Sequence, residues 1–121
     1  MTANLLSRLQ GLTAPDREVD AAIGLAIGGW TLSDEGPYGT INVPDEGSYP
    51  NHPGSLYPSF TESLDAAVAL CERVLPGYEW TVDKSGGRGF AGVGQSFNEE
   101  AATPAIALLI AILTALEARE K

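Results

Sequence analysis

Gly87-Arg88-Gly89-Phe90-Ala91-Gly92 carries the G-x-G-x-x-G spacing of dinucleotide-binding turns. That chemistry needs glycines that follow a strand and open a helix, whose N-terminal N–H groups hold the pyrophosphate. Here the glycines run on into a strand-like segment. The spacing therefore predicts a tight turn and a strand that needs room for close packing. Lys84 and Arg88 flank this turn and are two of only seven basic residues. Two cations beside backbone N–H groups that glycine leaves open could form an anion-binding nest; the plain reading is a solvated charged turn.

The other reactive residue types are sparse. His52, in Asn51-His52-Pro53, is the only histidine, and no Cys or His stands at ligand spacing from it. A structural zinc site is therefore not expected, and the ring reads as a solvated loop side chain. Cys71 falls on an apolar helix stripe, where a thiol is inert packing. Ser63 and Asp65 read as helix-capping residues. Glu99-Glu100 stand where paired carboxylates would favour the dipole of a following helix, although the same pair could serve acid–base chemistry. No catalytic residue, metal ligand or cofactor is assigned. Trp30, Tyr38, Tyr49 and Tyr57 are suited either to stack on a planar ligand or to pin their segment to the core.

Positioning these side chains falls to a small set of elements. Leu5, Leu6, Leu9 and Leu12 form a first helical stripe. Pro15 then breaks and restarts the helix, with Asp16, Glu18 and Asp20 at the new N-terminus and Val19, Ile23, Ala26 and Ile27 as its buried face. Gly28-Gly29 ends it. From residue 30 to 58 no period persists; Pro37, Pro44, Pro50, Pro53 and Pro58 alternate with Gly36, Gly39, Gly47 and Gly54. The expectation is one long irregular loop holding at most a short edge strand at Thr40–Val43. Ser59 to Leu75 reads as a helix capped by Thr61 or Ser63, with Leu64, Val68, Cys71 and Leu75 on one face. Tyr78–Asp83 and Phe90–Gln95 read as a β-hairpin about the turn at 84–89. Thr103-Pro104 starts a last helix whose apolar residues fall on two faces, which points to burial on more than one side and hence to self-association.

Composition sets outer limits. The chain has 121 residues, 44% hydrophobic and 19% charged, which suits one α+β domain. Sixteen acidic residues against seven basic give a net charge of −9. Such a field repels phosphate backbones, so DNA and RNA are not expected partners. One cysteine and no apolar N-terminal core suggest a reducing cytoplasm. The longest apolar run, Ala105 to Leu116, is shorter than the roughly 20 residues a bilayer requires.

Four blocks together resemble the phage ABA sandwich domain family of small phage and prophage proteins. They are Pro15-Asp16-Arg17-Glu18 with Gly28-Gly29-Trp30; Phe60-Thr61-Glu62-Ser63-Leu64-Asp65-Ala66-Ala67; Glu72 to Trp80; and Ala101 to Leu108. The resemblance spans most of the chain from Pro15 to Leu116, apart from residues 30–58. It implies a layered α/β/α sandwich and a phage gene product in a bacterial cytoplasm, and it supplies no catalytic residues. With that origin, the leading expectation is a non-enzymatic, homo-oligomeric binding protein. It would sequester a cyclic-nucleotide-type signal of host antiphage defence, with Lys84 and Arg88 on phosphate and Trp30, Tyr38 and Tyr57 on the bases. The alternative is an interaction module that docks on a basic host or phage protein.

Overall fold

The structure is a computed structural model that describes residues 2–52, 54–94 and 96–120. Pro53 and Gln95, the latter the expected end of a strand, lie outside them. Helix α1 (Thr2–Gln10) buries Leu5 and Leu9. Asp16 caps α2 (Arg17–Ala26), its carboxylate accepting from the N–H groups of Glu18 at 2.9 Å and Val19 at 3.2 Å. Helix α3 spans Leu64–Val74 and is capped by Ser63, which accepts from the Ala66 N–H. It starts later than Ser59 because the Thr61 N–H and hydroxyl are drawn away to Asp20. Its buried residues are Ala67, Leu70 and Cys71, followed by Leu75, while Leu64 turns outward.

Residues 30–58 are not one irregular loop. They hold an antiparallel sheet of three short strands, β1 (Thr31–Ser33), β2 (Thr40–Val43) and β3 (Gly47–Pro50), in the order β1-β2-β3. The β2–β3 turn is closed by Glu46 N–H donating to Val43 O. Pro44 pre-sets φ for its second position, and Asp45 takes a left-handed φ of 66° in the third, which a short polar side chain tolerates. Ile41 and Val43 of β2 are buried and tie this sheet to the core.

The second sheet is also three-stranded: β4 (Trp80–Ser85), β5 (Arg88–Val93) and β6 (Ser96–Ala101), with β5 central. The expected hairpin is present, but its turn is only Gly86-Gly87, both at positive φ, the form that matches strand twist. Glu99 and Glu100 do not lead into the helix as a dipole pair; they belong to β6. A Cβ on Gly89 would stand 2.1 Å from the Pro104 nitrogen, so the strand approaches the start of the last helix as closely as glycine permits.

That last helix, α4 (Pro104–Glu120), is capped by Thr103, whose hydroxyl accepts from the Ile106 N–H at 3.2 Å. It packs on β4, β5 and β6 and also on α1 and α3. Every residue from Ala105 to Leu113 is buried. The surplus of apolar surface is therefore covered within one chain, and the ground for inferring self-association from this helix is gone. The fold is α+β, with four helices and two small antiparallel sheets among the described residues. None of those helices is long and apolar enough to cross a membrane.

Candidate functional site

Arg17 and Asp20 lie one turn apart on α2 and clamp the segment 55–61 onto that helix. Asp20 is wholly buried, and each of its oxygens takes two donors. One oxygen accepts from Arg17 Nη1 at 2.8 Å and the Ser59 hydroxyl at 3.0 Å; the other accepts from the Thr61 N–H and hydroxyl, both at 2.7 Å. Arg17 Nη2 donates to the carbonyls of Ser55 and Tyr57 at 2.8 and 2.6 Å. The Tyr57 hydroxyl donates back to the Arg17 carbonyl at 3.0 Å, and the guanidinium carbon lies 4.2 Å above the Tyr57 ring centre. A buried carboxylate satisfied in this way is a structural anchor. Burial pushes the Tyr57 hydroxyl above its ordinary value, although the Arg17 charge pulls the other way.

The anchor fixes the chain immediately after β3, and there an open groove forms. It has a volume of about 420 Å³ and is lined chiefly by the β1–β2 loop (Glu35 to Gly39) and by Tyr49, Pro50 and His52. Tyr38 is 61% exposed, so its ring is open to water. It meets the His52 ring edge to face, with centroids 4.8 Å apart. The rim is pinned by three hydrogen bonds: Thr40 Oγ1 to the Glu35 carbonyl at 2.9 Å, the Asn51 N–H to the Gly39 carbonyl at 3.0 Å, and the Gly54 N–H to His52 Nδ1 at 3.0 Å. The last bond makes His52 Nδ1 an acceptor, so the ring carries its hydrogen on Nε2. The site offers two aromatic faces, one ring N–H and the carboxylate of Glu35. It can hold a planar or cationic group.

The five residues singled out for a nucleotide ligand do not assemble. Trp30 and Tyr57 are 4% and 3% exposed. Trp30 packs between Tyr57 and Phe60, at centroid distances of 5.7 and 5.3 Å, and over Gly24. Both rings are core. Lys84 and Arg88 both flank the Gly86-Gly87 turn, but they leave it on opposite faces. Ser85 pairs with Arg88 and Lys84 with Gly89, and neighbours along a strand alternate sides. Arg88 is also ion-paired with Glu100. Tyr38 alone of the five stands in the groove. His52, Glu35 and Tyr49 join it there; the signal for them was the density of aromatic and proline residues between 30 and 58, without any hint of which ones converge.

Cys71 is buried against the core and its thiol is pushed up by that burial. Another hollow, about 480 Å³, lies at the end of α4 beside Tyr78, Val93 and Arg119. Two of its polar side chains are already engaged: Thr114 donates to the Ile110 carbonyl, and Arg119 to the Val74 carbonyl at 3.4 Å. Among the described residues no group of three His, Cys, Asp or Glu side chains could hold a metal ion. Comparison with known protein families, with curated proteins and with solved structures finds no match.

Proposed function

We propose that this protein is a non-enzymatic binding protein whose recognition surface is the groove at Tyr38 and His52, and that it serves as an interaction module for a partner protein. The observation that carries this reading is the exposed Tyr38 ring held edge-on by His52 in a hollow of about 420 Å³. A large ring kept in water but fixed in place is suited to anchor a partner at little entropic cost. The acidic field of the chain favours a basic partner.

The nucleotide-sequestration form of the proposal has less support. Its two cations point to opposite faces, and two of its three aromatics are core. The phage origin and the layered α/β/α arrangement belong to the same proposal and rest on the resemblance to the phage ABA sandwich domain family. In that setting the partner is a host or phage protein.

The test is a backbone amide NMR titration of the whole chain with small probes: an arginine amide, a tyrosine amide and a cyclic dinucleotide. The expected result is shift changes confined to 35–40 and 48–52 with the first two, lost in Tyr38→Ala. Changes at 84–88 with the dinucleotide would restore the nucleotide form.

A further inference from the structure

His52 lines two hollows, not one. Beyond it lies a second depression of about 320 Å³, walled by Ala21, Ala22 and Leu25 of α2 and by Tyr57. The two have His52 in common as a lining residue. We propose that together they form one trench that takes an extended, proline-containing peptide of a partner protein, with a lysine or arginine toward each end. This rests on the reading of the Tyr38 groove as a binding site and specifies its occupant.

Three observations select that occupant. The first is the wall chemistry: Tyr38, Tyr49 and Pro50 line one hollow, Ala21, Ala22 and Leu25 line the other, and His52 lines both. An aromatic hollow beside an aliphatic one, with the His52 residue common to both, fits the repeating ridges of a polyproline II segment, which docks in aromatic-lined grooves. The second is charge. Glu35 lines the first hollow and Glu18 the second, and Glu18 is held only by a loose surface pair with Arg8 at 3.9 Å. An acidic residue lining each hollow, in a chain with net charge −9, favours cationic ends and disfavours phosphate.

The third is the edge of the first sheet. Strand β3 is an outer strand, and Pro50 in it has no N–H to offer. Proline on an edge strand resists pairing with a further strand. The partner is therefore read through side-chain hollows, not by extending the sheet. A polyproline II segment needs no backbone pairing and is already ordered before it binds, which lowers the cost of association.

The experiment is calorimetry on the full chain with a synthetic peptide of a polyproline core and arginine at both ends. Two control peptides keep the core with glutamate ends, or keep the arginine ends on a glycine core. The arginine–proline peptide should bind and both controls should bind at least about tenfold more weakly, a difference of about 1.4 kcal/mol. Tyr38→Ala should weaken binding about tenfold or more. Glu35→Gln and Glu18→Gln should each weaken it about two- to fivefold, with the effect fading at high salt. Lys84→Gln, on the remote hairpin, should leave affinity unchanged.

Equal binding of the glutamate-ended peptide, no effect of Tyr38→Ala, or no binding at all would overturn the proposal. So would a cyclic dinucleotide that displaces the peptide from the trench. If the arginine and tyrosine amides still shift residues 35–40 while the peptide does not bind, the peptide assignment falls and the Tyr38 groove stands. If neither binds, both fall. Circular dichroism on each variant confirms that it is folded.

Discussion

Asp20 accepts two hydrogen bonds from Thr61, one from its N–H and one from its hydroxyl, both at 2.7 Å across 41 residues of chain. Through this contact the segment carrying Tyr57 is fixed to α2, and with it the far wall of the trench.

Asp20→Ala removes the acceptor for four donors and leaves the Arg17 guanidinium against carbonyls only. Breaking a buried pair from one side costs about 3–5 kcal/mol. The lower end is expected here, since Arg17 keeps partial contact with water. Thr61→Val removes the hydroxyl bond to Asp20 and also the acceptor of the Asp16 N–H, 2.9 Å away, and should cost about 2 kcal/mol. Urea denaturation of both variants checks the order.

Tyr57→Phe deletes the bond to the Arg17 carbonyl and should cost about 1 kcal/mol at neutral pH. Alkaline pH gives an independent test. Burial raises the Tyr57 hydroxyl above its ordinary value of 10.0. The folded state therefore keeps its proton where the unfolded chain has lost it. This contribution is complete below pH 10 and is lost as pH rises from there through the folded value. Wild type should lose stability above pH 10 more steeply than Tyr57→Phe.

Gly89→Ala puts a methyl group 2.1 Å from the Pro104 nitrogen and 2.2 Å from the Thr103 carbonyl carbon. Backbone cannot step aside as a side chain can, so β5 must separate from α4. The loss should reach about 3 kcal/mol or more. Gly24→Ala meets the Trp30 ring, also at 2.1 Å. It should disturb the near-ultraviolet circular dichroism of the Trp30, Tyr57 and Phe60 cluster as well as lower the denaturation midpoint.

Cys71 is wholly buried, and burial followed by the Glu72 charge holds its thiol above the ordinary range. The native protein should react with a thiol reagent at neutral pH at least about a hundredfold more slowly than the urea-unfolded chain. Comparable rates would show that α3 opens freely.

These contacts also mark what could be read from the sequence. Local chemistry was legible. Asp16 and Thr103 start helices where their types require it, Ser63 does the same, and Gly86-Gly87 turns the hairpin. Of the β1–β3 sheet only β2 (Thr40–Val43) was legible, and it is the central strand and not an edge; β1 and β3 were hidden because strands of three or four residues separated by Gly36, Gly39 and Gly47 never sustain a two-residue period. Strand β6 was hidden by its polar run, Asn98-Glu99-Glu100. Asp20 reads as a helix-dipole residue because its partners Ser59 and Thr61 lie 39 and 41 residues away. For the same reason four aromatics of one segment look alike in sequence, yet Trp30 and Tyr57 are core and Tyr38 faces water. Long-range packing, not residue type, separates them.

The most direct test of the central claim is the amide NMR map of the whole chain with the arginine amide probe, in wild type and in Tyr38→Ala. The groove reading predicts shift changes at 35–40 and 48–52 that vanish in the variant. Changes confined to the Lys84–Arg88 hairpin, or a response unaltered by Tyr38→Ala, would contradict it.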